Sequence, residues 1–230
     1  MSYNTLRLKV TELPGYDHLL HMVRERPDSL LLDIGCGFGH DTRKIVLDGF
    51  PARNIIASDI SREFWDLGHE LFRSTPETFP VTFIQGDVFD TSFLAQQEPV
   101  YTGTDLKPLD ISTLQSLSPL HGRLKAIAAL ALFHLFDEDQ QIQLAHRLGA
   151  LLSPEPGSMI FGWQVGSAVK KMETRLWAHM FCQSPDSWRN IWDGQVFKKG
   201  TVKVEIVLKH VPEAPPDMDL DGIFWSVTRL

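Results

Sequence analysis

Apolar residues along this chain fall alternately into short continuous runs and helix-spaced stripes. Residues 16–26 put Leu19, Leu20 and Val23 on one side of a helix that Pro27 stops. Ser29 to Ile34 is a short unbroken apolar run, as in a strand buried on both faces. It ends in glycines and leads into a second helical stretch, roughly 40–49, closed by Gly49. The rhythm then repeats. Asn54 to Ser58 reads as a strand, 62–73 as a helix carrying Phe64, Leu67, Leu71 and Phe72, and Val81 to Gln85 as a strand. Leu124 to Phe133 is a longer strand candidate, 138–152 an amphipathic helix with Asp137 as its N-cap, and Ser158 to Gly162 a fifth strand. Strands alternating with helices imply βαβ units and a mostly parallel α/β sheet.

The last sixty residues break this pattern. Val202, Val204, Ile206 and Leu208 alternate with Lys203, Glu205 and Lys209, the signature of a half-buried strand. Ile223 to Arg229 is another strand, and Pro212, Pro215 and Pro216 rule out a helix between the two. The pair reads as an antiparallel addition at the sheet edge. Residues 91–122 show little periodicity and are expected to form a long irregular insertion, functional or disordered. No repeat or linker divides the chain, so 1–230 is expected to be one domain, with 1–28 an N-terminal segment and helix and 163–200 a substrate-side region.

Composition narrows the partners. With 230 residues, 43% hydrophobic and 22% charged, the chain is long enough to bury a core unaided. Cys36 and Cys182 make no disulfide framework and show no zinc spacing, which suggests a reducing, cytoplasmic setting and no metal. The start lacks a signal-peptide apolar stretch, and the longest apolar run, Ala126 to Phe133, falls far short of a membrane span. A formal charge of −7 with scattered basic residues argues against nucleic acid or an anionic membrane. Fourteen Phe and six Trp leave ample aromatic surface for a core and an apolar pocket. The partner expected is a small molecule; a homodimer is compatible with this reading.

The chemistry concentrates in residues 31–39, LLDIGCGFG. A buried strand ends in Asp33, and Gly35, Gly37 and Gly39 turn the chain into a helix at the strand end where open α/β sheets bind ligands. A Walker loop would need GxxxxGK[ST], which is absent. The dinucleotide fingerprint would need glycine where His40 stands. The remaining reading is the D-x-G-x-G-x-G turn for S-adenosylmethionine, whose ammonium and sulfonium suit an acid before the first glycine. Asp59 ends the second strand, 20 residues beyond Gly39, where a carboxylate accepts ribose hydroxyls; it could equally cap the helix beginning near Ser61. Asp87, followed by Val88, ends the third strand where an acid can accept from an adenine amino group. Three acids at three successive strand ends are hard to explain by chance.

LLDIGCGFGHDTRKIVLDGFP, SDISREFWDLGHELFRS, FIQGDVFD and FHLFDEDQQ, with LLSPEPGSMIFGWQVG and SPDSWRNIWD, resemble class I S-adenosylmethionine-dependent methyltransferases. They are similar in particular to the small methyltransferases of fungal secondary metabolism. The resemblance implies a Rossmann-like seven-stranded, mostly parallel sheet with helices on both faces and an antiparallel C-terminal strand. It implies that Asp33, Gly35 and Gly37 surround the methionine portion of the cofactor, Asp59 and Ile60 the ribose, and Asp87 and Val88 the adenine. Leu130 to Leu132 would pass beside the transferring methyl. The chain departs from such relatives in having little before Tyr16 to cover a substrate, and in an apolar fourth strand where they place polar residues.

The expected reaction is methyl transfer to a small-molecule acceptor, oxygen ahead of nitrogen. A carboxylate acceptor needs no base, whereas a phenol, enol or amide gains from one. His134 is the first candidate base, although its apolar neighbours suit a core histidine equally. Gln164 could orient a substrate carbonyl, and His40 could cap a helix or line the cofactor mouth. Trp163, Trp177, His179 and Trp188 lie where relatives contact substrate, and Cys36 reads as a small filler residue. Two alternatives stand beside this: a cyclase or isomerase with no net methyl transfer, and a non-catalytic partner subunit of the same fold.

Overall fold

The computed structural model describes residues 8–103, 107–174, 180–211 and 220–230. Strands β1 (Leu31–Ile34), β2 (Ile55–Asp59), β3 (Thr82–Gln85), β4 (Ala126–Leu130) and β5 (Met159–Gly166) run parallel. β6 (Lys171–Glu173) and β7 (Met180–Cys182) form a small separate pair. β8 (Val202–His210) and β9 (Asp221–Arg229) complete a seven-stranded sheet in the order β3-β2-β1-β4-β5-β9-β8. β9 is the antiparallel strand, inserted between β5 and β8. The fold is therefore the Rossmann-like seven-stranded sheet expected. The prolines between β8 and β9 lie outside the described residues.

Sequence explains why the sheet is covered on both sides. Along β1, Leu32 and Ile34 join a core with Leu144, Leu148 and Trp225, while Leu31 joins Leu19, Met22 and Ile45 on the opposite face. Helices α1 (Tyr16–Glu25) and α2 (His40–Leu47) supply that second face, and α4 (Glu138–Leu151) and α5 (Pro185–Trp192) the first. α3 (Arg62–Leu71) packs through Trp65 against Phe79 and Phe83. Asp137 caps α4 as expected: its side chain accepts from Gln140 N–H at 2.8 Å in a reciprocal capping box, a device that contributes about 1 kcal/mol.

Three expectations change. The strand over Leu124 to Phe133 is β4 alone, because Ala131 takes a left-handed conformation (φ 53°) and Phe133–Leu135 forms a single 3-10 turn. Among the described residues of 91–122 there are two such turns, Ile111–Thr113 and Ser118–Leu120, yet Phe93, Leu94, Leu117 and Leu120 are buried in the main core. Where described, that insertion is a packed cover in place of a crossover helix. Within the expected substrate-side region 163–200 stands α5, which Ser184 caps and Pro185 opens and whose Trp188, Ile191 and Trp192 are buried in the core.

Candidate functional site

A cleft of about 590 Å³ opens at the carboxyl ends of β1, β2 and β4 and beside the segment that follows β3. Brief connections create it. The turn after β1 is anchored by Gly35 and Cys36 N–H groups donating to Ser58 O at 2.8 and 3.2 Å. Gly37 and Gly39 then adopt φ of 52° and 67°, a conformation that a side chain strains. A Cβ on Gly37 would meet nothing within 4 Å, so this residue opens the wall towards a ligand; one on Gly39 would strike the Trp65 ring at 2.6 Å.

The three strand-end acids line this one cleft. Asp59 is organised by its neighbours: Oδ2 accepts from Gly37 N–H at 2.9 Å and Oδ1 from Ser61 N–H at 3.0 Å. It thus ties the glycine turn to the start of α3 and serves as a helix-entry residue as well. Asp33 is buried, and its Oδ2 accepts from the Thr42 hydroxyl at 2.5 Å. Burial pushes its carboxyl up to about 7, a rise that the Thr42 hydrogen bond opposes. Asp87 is exposed and accepts from Phe89 N–H at 2.8 Å. Gly35, Gly37, Val88 and Leu130 line the cleft as well, as does Ile60, whose side chain is 66% exposed at the rim.

The opposite wall is apolar apart from a few groups. Leu132, Leu135, Phe136 and Trp163 line it together with His134. The His134 Nδ1 is shielded from water and has no hydrogen-bond partner among the described residues. Burial holds the imidazole down at about 4, so it is neutral at neutral pH. Its ring centroid lies 6.2 Å from that of Trp163.

Gln164 does not reach the cleft. Along β5 successive side chains alternate, and Trp163 takes the cleft side while Gln164 faces the core, its Oε1 accepting from Trp225 Nε1 at 2.9 Å. Its expected contact with a substrate carbonyl is corrected accordingly. Trp188 is likewise a core residue, with ring centroids 4.8 Å from Phe133 and 5.2 Å from Trp225. Trp177 and His179 lie outside the described residues. His40 lines the cleft mouth, its Nε2 3.1 Å from Asp41. Cys36 also lines the cleft; burial drives its thiol well above the usual range, in keeping with a filler role.

Sequence reasoning missed Lys9, Phe38, Asp41, Phe64 and Phe136 as cleft residues. Lys9 Nζ sits 4.2 Å from the Trp163 ring centroid, and Asp41 Oδ1 accepts from the Lys9 and Val10 N–H groups, each at 3.3 Å. These are contacts between distant segments, and no local signal marks them. Phe64 could have been found: it lies one turn beyond Ile60.

Residues 31–104 match a family model described as a methyltransferase domain. The chain is 29% identical over 201 residues to O-methyltransferase phiE of Fungal sp., covering 86% of this chain and 59% of that protein. It is 31% identical over 195 residues to the Asnovolin E/Chermesin D methyltransferase nvfJ of Aspergillus novofumigatus, covering 83% and 60%. The chain therefore spans about three-fifths of the length of these curated relatives. One similar solved structure is the 1,6-didemethyltoxoflavin-N1-methyltransferase of Burkholderia thailandensis with bound S-adenosylhomocysteine. It matches with a TM-score of 0.57 at 15% identity, covering 92% of this chain and 75% of that one, a likeness of fold.

Proposed function

We propose, for a chain that carries a methyltransferase domain and resembles fungal O-methyltransferases, that it transfers a methyl group from S-adenosylmethionine to a small molecule of specialised metabolism, at oxygen in preference to nitrogen. The observation that carries this reading is the meeting of Asp33, the glycine turn, Asp59 and Asp87 in one cleft whose far wall is apolar around His134. The residues present fit the cofactor. The cleft volume lies within the range of about 300–1,000 Å³ usual for small-molecule sites, and the bare Gly37 wall lets backbone approach a ligand. The name of phiE favours oxygen as the acceptor atom.

When bound, S-adenosylmethionine supplies an electrophilic methyl on a sulfonium. The chain's own groups would do the rest. Asp33 would hold the cofactor ammonium, Asp59 with Ile60 the ribose hydroxyls, and Asp87 with Val88 the adenine. Leu130 and Leu132, which line the cleft, would flank the acceptor and the methyl, where displacement depends on close alignment. Leu135, Phe136 and Trp163 exclude water. His134, neutral and lining the cleft, would take a proton through Nε2, the ring nitrogen other than the enclosed Nδ1, from an acidic hydroxyl as the oxygen attacks.

Incubation with S-adenosylmethionine and candidate acceptors should release S-adenosylhomocysteine in step with methylated product. For an acceptor that must lose a proton, His134→Ala should lower kcat by about 100-fold while leaving S-adenosylhomocysteine affinity intact. Acceptor turnover without homocysteine-product release would end this reading in favour of a cyclase or isomerase.

A further inference from the structure

Two arginines are buried beside the cleft with no carboxylate at ion-pair distance among the described residues: Arg43 of α2, 9% exposed, and Arg147 of α4, 5% exposed. Arg147 acts on the exposed Asp90 only at longer range, adding to the Ser92 hydrogen bonds that lower that carboxyl. A guanidinium buried without a direct ion pair costs free energy that an apolar side chain of similar volume would avoid. Both point their donors at backbone carbonyls instead. Arg43 Nη1 donates to Phe38 O at 3.0 Å and Gly39 O at 3.1 Å, and its Nη2 to Ser74 Oγ at 2.9 Å. Arg147 Nη1 donates to Val88 O and Leu94 O, each at 2.7 Å.

Those carbonyls belong to the two segments that frame the cleft. Phe38 lines one side of it and Val88 another. The Phe38–Gly39 limb of the glycine turn is gripped from several directions. The Arg43 guanidinium carbon lies 4.4 Å from the Phe79 ring centroid and 4.6 Å from that of Phe72. Helix α3 bears on the turn so closely that a Cβ on Gly68 would come within 2.2 Å of Phe38 O. On the other side, the Arg147 guanidinium carbon lies 5.9 Å from the Phe89 ring, and its two carbonyl acceptors bracket residues 88–94. In each arginine a single Nη1 amino group, held in the guanidinium plane, donates to both carbonyls and so fixes their relation, whereas the lysine ammonium rotates freely on a flexible stem.

We infer that Arg43 and Arg147 are positioning residues for the cofactor: Arg43 fixes the turn that receives its amino-acid end, and Arg147 fixes the segment that receives its base. The inference rests on the cofactor placement proposed above. It predicts that each arginine matters to a different part of the same ligand, which general stabilisation of the fold would not produce.

Calorimetry on the full chain separates these possibilities with two probes, S-adenosylhomocysteine and 5′-methylthioadenosine, the latter lacking the amino-acid group. Arg43→Lys should raise the Kd of S-adenosylhomocysteine about tenfold and that of methylthioadenosine by less than about threefold. Arg147→Lys should raise both by a similar factor of about five or more. Phe79→Leu, which loosens the aromatic contact with Arg43 without touching the loop carbonyls, should lower Tm and leave both affinities within about twofold. Should a lysine variant not fold, the matching glutamine variant, which keeps an amide donor, carries the same comparison. Wild-type binding with lysine variants unchanged, or losses matched by Phe79→Leu, would overturn the inference alone. A wild-type chain that takes up neither probe would overturn the cofactor reading with it.

Discussion

Asp33 shows how much of the site is settled at single residues. It lies in β1 between Leu32 and Ile34, where the strand is fully buried, so its carboxyl is withdrawn from water and rises to about 7 from an ordinary 3.8. The folded chain therefore holds this proton more tightly than the unfolded one. The stability from the neutral acid is complete below about pH 4 and is lost as pH climbs towards 7. Asp33→Asn removes that titration while keeping an acceptor for Thr42. Thermal melts should show a flatter pH dependence between pH 4 and 7 and a Tm a few degrees higher at pH 8, since about 1 kcal/mol moves Tm by about 2–4 °C in a chain of this size. S-adenosylhomocysteine affinity should fall in the same variant. An unchanged pH profile would show that Asp33 is not the buried acid described. The positions of Asp33, Asp59 and Asp87 were legible because each stands within two residues of a strand's carboxyl end, a place that apolar runs mark well. Gln164 differs because β5 runs on to Gly166, past the Gly162 end that the apolar run marks, and one step from Trp163 along that extension exchanges the cleft face for the core face.

Among the elements, the glycine turn divides its work between shape and contact. Gly37 and Gly39 both take left-handed φ, but only Gly39 is enclosed, by Trp65 and Arg43. Gly37→Ala should cost about 1–2 kcal/mol in stability from backbone strain and weaken S-adenosylhomocysteine binding further, because the new methyl enters the cleft. Gly39→Ala should instead be mainly a stability variant, losing more than Gly37→Ala in urea melts. Equal effects of the two on binding and melting would contradict this division. Helix α4 was legible through its capping box, which is local chemistry. The end of β4 was not, because Ala131 turns left-handed where its N–H donates to Trp163 O at 2.8 Å, a contact set by a neighbouring strand. The same local signals mark α5, where Ser184 and Pro185 precede three buried apolar side chains.

For the molecule as a whole, strand order puts the chemistry in one place. β1 lies between β2 and β4, so the chain leaves the sheet in opposite directions from the β1 turn and a crevice opens at the carboxyl edge. Alternating runs made that architecture readable, down to the antiparallel last strand. They could not show that the segment around Lys9 closes one wall against Trp163, since those residues meet only through the tertiary fold. Nor could they show that residues 91–122, where described, serve as core filling. The central claim is that strand-end carboxylates and a bare glycine turn together bind an adenosyl sulfonium nucleoside. Isothermal titration of the chain with S-adenosylhomocysteine, repeated on Asp59→Ala, tests it most directly. Single-site binding in the wild type, weakened at least about tenfold when Asp59 can no longer hold Gly37 and Ser61, is the result expected. No uptake at millimolar ligand, or equal affinity in the two proteins, would contradict it.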